Sequence, residues 1–144
     1  MPGTRINAAT DLARWLESSE EAQDGLTPAT FTVDTERILW LAPRGSEHVA
    51  CAGGAEVLAA GELVFDGSAV VEATNQSTGY CPEPASWTVL AEALDRLAVV
   101  HPGRYTAEFT FRRCEYCGEL NVVKESWFVC AACDQPLPRE WNCA

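Results

Sequence analysis

The sequence predicts an α+β fold: a small antiparallel sheet with packed helices, followed by a compact cysteine-rich module. Three observations carry this. Apolar residues make up 47% of the 144 residues, enough for one real core and too many for general disorder. Helical and strand periodicities follow one another along residues 8–112 without an internal repeat. Four of the seven cysteines form two C-x-x-C pairs near the C-terminal end. The division is expected at 103/104, with an α+β domain over 1–103 and the cysteine module over 104–144.

The first element is a helix over about residues 8–22. Leu12, Trp15 and Leu16 give an i, i+3, i+4 stripe, Asn7 or Thr10 is placed to cap the start, and Gln23-Asp24-Gly25 ends it. Glu17 to Glu21 form its solvated acidic face. Ile38-Leu39-Trp40-Leu41, ended by Pro43, reads as a buried strand. The run Ile38 to Ala42 is the longest unbroken aliphatic and aromatic stretch, far short of the roughly 20 residues a membrane-spanning helix needs. Residues 45–55 hold three glycines and read as a loop. Glu62 to Phe65 and Ala69 to Thr74 read as strands, joined at Asp66-Gly67 by a hairpin turn.

A polar loop over 75–84 leads into a helix over about 85–98. Ser86 is placed to cap it, and Trp87, Leu90, Ala91, Leu94, Leu97 and Ala98 form a wide apolar stripe. His101-Pro102-Gly103 stops it. Tyr105 to Arg112 alternates cleanly, with Tyr105, Ala107, Phe109 and Phe111 on one face, and predicts a strand.

Charge narrows the partners. Ten basic residues face 21 acidic ones, net −11, and the only lysine is Lys124. Phosphate contact needs clustered Lys and Arg, so nucleic acid and anionic membrane surfaces are disfavoured. Residues 1–100 carry five basic and 15 acidic residues, so the acidity belongs to the larger part. Arg112, Arg113 and Lys124 form a weak basic cluster, countered by Glu115, Glu119 and Glu125. No apolar segment marks Met1 to Leu16 as a secretory signal, so a cytoplasmic location is expected, where cysteines bind metal more often than they pair.

Cys114 and Cys117, then Cys130 and Cys133, are spaced C-x2-C-x12-C-x2-C. Each C-x-x-C turn lets two thiolates converge on one ion, and two turns complete a tetrahedral site with Zn–S distances of about 2.3 Å. Rubredoxin-type iron uses similar knuckles set further apart, so zinc is expected. Four thiolates close the shell against an activated water, which makes the zinc structural. Between the knuckles a hairpin is expected, with Val122 and Val123 on one arm, Trp127, Phe128 and Val129 on the other, and Glu125-Ser126 at the turn. Tyr105 to Arg112 would add a third strand, which is the layout of a zinc ribbon. Trp127, Phe128 and Trp141 supply aromatic surface that can cover the hairpin or dock another protein.

The second informative region is residues 44–82. His48, then Ala60-Gly61-Glu62, then Asn75-x-Ser77-x-x-Tyr80-x-Pro82 before a helix, resembles a pattern in bacterial modules attached to toxin-like or conflict-system proteins. Those typically read H-S, A-G-E and N-x-S-G-H-Y-x-P. Here Thr78-Gly79 stand in place of Gly-His, so the second histidine is missing. The resemblance covers about residues 44–98 and implies a setting in a toxin, immunity or defence system.

Three chemistries are open to these residues. Cys81 can act as a nucleophile with His48 as base and Asn75 as orienter. His48, Glu62 and Tyr80 can form a transferase site for a nucleotide such as NAD. His48, Cys51 and Cys81 can ligate a second metal. A cytidine-deaminase site is excluded, because His48 is not followed by x-Glu and Cys81 has no partner three residues on. In the competing structural reading these side chains satisfy turn backbone. The function expected is that of a zinc-binding accessory or adaptor module working through another protein. The alternative is a small hydrolase or nucleotide-using transferase. Neither oligomeric state nor the roles of Cys51, Cys81 and Cys143 follow from the sequence.

Overall fold

The computed structural model describes residues 3–20 and 22–143. In chain order the elements are β1 (Thr4–Ile6), α1 (Ala9–Ser18), β2 (Leu26–Asp34), β3 (Leu39–Pro43), α2 (His48–Cys51), β4 (Val57–Asp66), β5 (Ala69–Thr74), a 3-10 turn (Pro84–Ser86), α3 (Trp87–Arg96), β6 (Thr110–Arg113) and β7 (Leu120–Val123). Strands β1–β5 form an antiparallel sheet in the order β1-β3-β2-β4-β5, and β6 pairs with β7 separately. The α+β expectation holds. No helix among the described residues is long and apolar enough to cross a membrane.

The sheet is built on β2, which periodicity did not single out. Ala29, Phe31 and Val33 point to one face, in register with Leu63, Gly61 and Ala59 of β4, and Phe31 and Val33 lie opposite Leu41 and Leu39 of β3. On this face Leu12 and Trp15 of α1 and Leu90, Ala93 and Leu94 of α3 complete the main core, with Ile6, Phe65, Val70, Ala73 and Tyr105. The stripe read for α1 is the face it buries; in α3, Leu90, Leu94 and Leu97 are buried and Trp87 packs against the core as read, but Ala93 takes the place of Ala91, and Ala98 lies exposed beyond the helix end. Thr30 and Thr32, on the other face of β2, are also buried. Thr30 Oγ1 donates to the Ser46 carbonyl at 3.3 Å, and Thr32 Oγ1 lies 3.7 Å from Cys51 Sγ of α2.

Element ends differ from expectation for local reasons. Helix α1 starts at Ala9 without a cap from Asn7 or Thr10; Asp11 Oδ2 accepts instead from the Asn7 and Ala8 N–H groups. It ends at Ser18, leaving Glu17 and Glu20 exposed, while Glu21 lies outside the described residues. The expected loop at 45–55 contains the short α2. Ser86 does not cap α3; its hydroxyl turns back to the Glu83 carbonyl at 2.6 Å and lies 2.8 Å from the Tyr105 hydroxyl. The β4–β5 hairpin turns where expected, with Gly67 at φ +60°.

The strand expected over 105–112 is found only from Thr110. Residues upstream lie against the end of β5 without forming a ladder: the Thr106 hydroxyl donates to the Ala73 carbonyl and accepts from its N–H, and Ala107 makes one parallel bridge with Thr74. The expected pairing of 122–123 with 127–129 is likewise replaced. β7 pairs with β6 across the first knuckle, whereas Phe128 pairs with Leu137 across the second.

Candidate metal centre and the polar turn

Each C-x-x-C sits at the tip of its own short hairpin, and the two tips have the same backbone wiring. Cys114 N–H donates to the Glu119 carbonyl and Gly118 N–H to the Cys114 carbonyl, at 2.8 and 2.9 Å. Cys130 N–H donates to the Gln135 carbonyl and Asp134 N–H to the Cys130 carbonyl, also at 2.8 and 2.9 Å. In both, the residue four after the first cysteine is left-handed, Gly118 at φ +80° and Asp134 at +63°. Glycine fits there freely, and aspartate is among the few side chains that tolerate it.

The hairpins face each other so that one thiol atom from each of Cys114, Cys117, Cys130 and Cys133 lies within 4.8 Å of the others. Cys114 Sγ is 3.5 Å from Cys133 Sγ, and Cys117 Sγ is 3.6 Å from Cys130 Sγ. A tetrahedron of sulfurs about 2.3 Å from a central ion has edges of about 3.8 Å. The four thiols are free and could hold a metal ion.

Donors already converge on the sulfurs. Cys117 N–H points to Cys114 Sγ at 3.5 Å, Ala132 N–H to Cys130 Sγ at 3.4 Å, and Asn121 Nδ2 to Cys130 Sγ at 3.5 Å. Burial opposes ionisation of Cys130, but the Asn121 amide and the Cys133 and Ala132 N–H groups outweigh it and bring the thiol down to about 6. The Cys117 N–H likewise lowers Cys114. Asn121 is the residue that spacing did not reveal. It sits buried on β7, also accepts from Ala131 N–H at 2.9 Å, and so locks the second knuckle against the first hairpin. Its one sequence signal is a polar side chain inside the apolar run Leu120 to Val123.

Around this centre the second core is small: Cys114, Cys130 and Leu137, with Val123, Phe128 and Cys133 packed against them. Arg112 of β6 ties the module to the segment just before the 3-10 turn. Its guanidinium bonds Glu83 at 2.8 Å and the Arg139 carbonyl at 2.9 Å, and lies 5.8 Å from the Phe128 ring centre. At 5% exposure, Arg112 is not surface charge, so the basic cluster expected with Arg113 and Lys124 is not assembled. Tyr116 and Trp127, 69% and 70% exposed, and Val122 remain uncovered.

His48, Asn75, Ser77, Tyr80 and Cys81 of the 44–82 region are engaged with main chain. Asn75 is fully buried; its Nδ2 donates to the Pro82 and Phe109 carbonyls at 2.9 and 2.7 Å, and its Oδ1 accepts from Phe109 N–H at 2.7 Å. Ser77 Oγ accepts from Tyr80 N–H, and the Tyr80 hydroxyl donates to the Ala55 carbonyl at 2.6 Å. Cys81, at φ +49°, points its thiol to the Thr78 carbonyl, while its own carbonyl accepts from Trp141 Nε1 at 2.6 Å. His48 Nε2 lies 2.8 Å from the Gly61 carbonyl, which only a protonated nitrogen can bond. Burial holds His48 below its ordinary value, against the pull of the Gly61 carbonyl and the Glu62 charge.

Gly61 itself has a steric reason. A Cβ there would meet the Thr74 carbonyl oxygen at 1.8 Å, because the chain leaving β5 crosses it. Glu62 lines an open cleft of about 500 Å³ with Arg44, Asp24 and Glu72, whereas Tyr80 lines a different groove with Trp141 and Cys143. His48, Cys51 and Cys81 do not form a second metal group: among the described residues, the four-cysteine cluster is the only such convergence of three or more His, Cys, Asp or Glu ligand atoms. Comparison with protein-family models, with curated proteins and with solved structures gives no match.

Proposed function

We propose that the protein is a zinc-dependent adaptor: a four-thiolate structural zinc holds the C-terminal module in shape, and the module docks another protein through Tyr116, Val122 and Trp127. The observation that carries this is the convergence of four thiols within 4.8 Å of one another in a module that leaves Tyr116 and Trp127 exposed. The sulfur spacing suits zinc, and four thiolates leave no position for a reactive water. Three buried residues are too small a core to fix two hairpins without a metal. Large exposed aromatics on the module favour a protein surface as partner. The net charge of −11 speaks against nucleic acid. Seven free thiols fit a reducing, cytoplasmic compartment. The resemblance over 44–98 supports a toxin, immunity or defence setting, with that region serving as scaffold, since the side chains of His48, Asn75, Ser77 and Tyr80 are spent on main chain.

The test has two arms. Metal analysis of the purified chain should find one zinc, and a chelator or Cys117→Ser should release the amide protection of residues 110–137 in hydrogen exchange while β2 and β4 stay protected. In the native host, crosslinking should capture a partner that is lost with Tyr116→Ser/Trp127→Ser although that variant keeps its zinc. A metal-free chain with an ordered C-terminal module would overturn the first arm. Unchanged capture by the double variant would overturn the second.

A further inference from the structure

Three cysteines lie outside the metal cluster, and the fold treats them differently. Cys51 is sealed under α2, its thiol between Thr32 Oγ1 and the Trp40 carbonyl. Cys81 and Cys143, far apart in sequence, are brought together. Asn142 grips the Arg113 main chain from both sides, accepting from its N–H at 2.9 Å and donating to its carbonyl at 2.7 Å. Trp141 donates its indole N–H to the Cys81 carbonyl at 2.6 Å. The Trp141 bond sets the residues around Cys143 over the turn that carries Cys81, and Cys143 lines the same groove as Tyr80 and Pro82, the residues on either side of Cys81.

Access is asymmetric. Cys81 is 2% exposed, whereas Cys143 is half-buried and lines a groove of about 600 Å³ with Tyr80, Pro82, Glu83 and Trp141. Burial, with Cys143 beside it, pushes Cys81 up to about 11, so at neutral pH it waits as a thiol. The backbone at Cys81 is left-handed, a conformation that costs a non-glycine residue roughly 1 kcal/mol and persists where the surroundings hold it.

We propose that Cys81 and Cys143 are a reversible oxidation site, whose disulfide ties the C-terminal tail to the 75–82 turn and encloses the whole metal module in one covalent loop. Peroxide is the oxidant. The sulfur of Cys143 attacks one peroxide oxygen, the O–O bond breaks, and Cys143 becomes a sulfenic acid with release of water. The sulfur of Cys81 then attacks the sulfenic sulfur, the S–O bond breaks, and a second water leaves with the Cys81 proton. Two thiols and one peroxide give one disulfide and two waters, with two electrons passing to the peroxide. A thiol reductant reverses the step. Closing the loop restricts the unfolded chain and holds Trp141 over the groove.

The experiment uses the metal-loaded full chain. It is treated with one equivalent of hydrogen peroxide, the remaining thiols are alkylated, and the digest is read by mass spectrometry. The expected result is a cross-linked peptide joining Cys81 to Cys143, reversed by dithiothreitol, with zinc retained and Cys51 alkylated only after unfolding. The oxidised protein should melt roughly 5–10 °C higher than the reduced one. Cys143→Ser, at the accessible end, should fold, keep its zinc and lose both the cross-link and the thermal shift; Cys81→Ala should behave alike. Zinc release with cross-links among Cys114, Cys117, Cys130 and Cys133 before any Cys81–Cys143 bond forms would overturn the proposal. So would a peroxide-treated chain in which Cys143 stops at sulfinic acid with Cys81 still free.

Discussion

Replacing Asn75 with alanine should be among the most damaging single changes in the α+β part, although Asn75 packs no apolar surface. Its side chain satisfies three main-chain groups, the carbonyls of Pro82 and Phe109 and the N–H of Phe109, and is itself 0% exposed. Alanine supplies neither donor nor acceptor and leaves all three groups without a partner in a dry site. At about 1–2 kcal/mol for each stranded group, the loss is roughly 3–6 kcal/mol, a large share of the 5–15 kcal/mol that ordinary domains have. Aspartate is no rescue. It keeps the acceptor for Phe109 N–H but aims an anion at two carbonyl oxygens. Urea unfolding followed by tryptophan fluorescence, with the slope checked for constancy, gives the number. A loss below about 1 kcal/mol for Asn75→Ala, or an Asn75→Asp protein as stable as wild type at pH 7, would refute the reasoning.

Three further outcomes follow from single contacts. Gly61→Ala would place a methyl group 1.8 Å from the Thr74 oxygen, a main-chain atom that cannot swing aside, so β4 and β5 must part locally; a loss of about 3 kcal/mol, or failure to fold, is expected in denaturant titration. His48 titrates below its unfolded value of about 6.5, so below that pH the unfolded chain takes up the proton more readily than the folded one, and stability falls as pH drops. His48→Gln, which keeps a donor for Gly61 but cannot titrate, should flatten the stability profile between about pH 6.5 and 5. Asn121→Ala removes the amide donor on Cys130 and should weaken zinc binding about 10- to 100-fold in chelator competition, while the main core keeps its amide protection.

Where local physics decides the structure, the residues speak for themselves. The Asp66-Gly67 hairpin needs a left-handed residue at its turn and has one. The α1 stripe and the leucines of the α3 stripe match the faces they bury. The long strand β2 is different. Thr30 and Thr32 alternate with Ala29, Phe31 and Val33, which resembles a half-solvated strand, and Pro28 argues against any interior strand. Yet both faces are covered, because α2 and the 43–46 turn close over the threonines, the Thr30 hydroxyl donating to the Ser46 carbonyl and the Thr32 hydroxyl lying against Cys51 Sγ. Pro28 is tolerated because β3 pairs with β2 only from Ala29 onward, leaving one side free. Both facts depend on segments distant in sequence. The alternation at 105–112 reports burial of Tyr105 and Phe111, not ladder pairing: the main-chain groups of Phe109 are claimed by the Asn75 amide, so no strand partner is needed there.

The same distinction separates the two candidate sites. A C-x-x-C knuckle is a local turn, so its spacing already implies convergence of two thiols, and two knuckles need only face each other. The turn at 75–82 uses Asn, Ser and Tyr, residue types that serve catalysis and main-chain capping equally well. Only the destination of each polar atom tells the uses apart. Asn75, Tyr80 and His48 end on backbone groups of other segments, at 109, 55 and 61, and Ser77 on the Tyr80 N–H of its own turn. Such atoms can serve a substrate only by abandoning a bond that holds the fold. In the cysteine module the reverse holds: main-chain N–H groups and the Asn121 amide point at Cys114 and Cys130 and favour their thiolates, while burial and the neighbouring thiols hold Cys117 and Cys133 up. Side chains whose bonding is complete are spent on architecture, and the four thiols are where a further ligand would gain most.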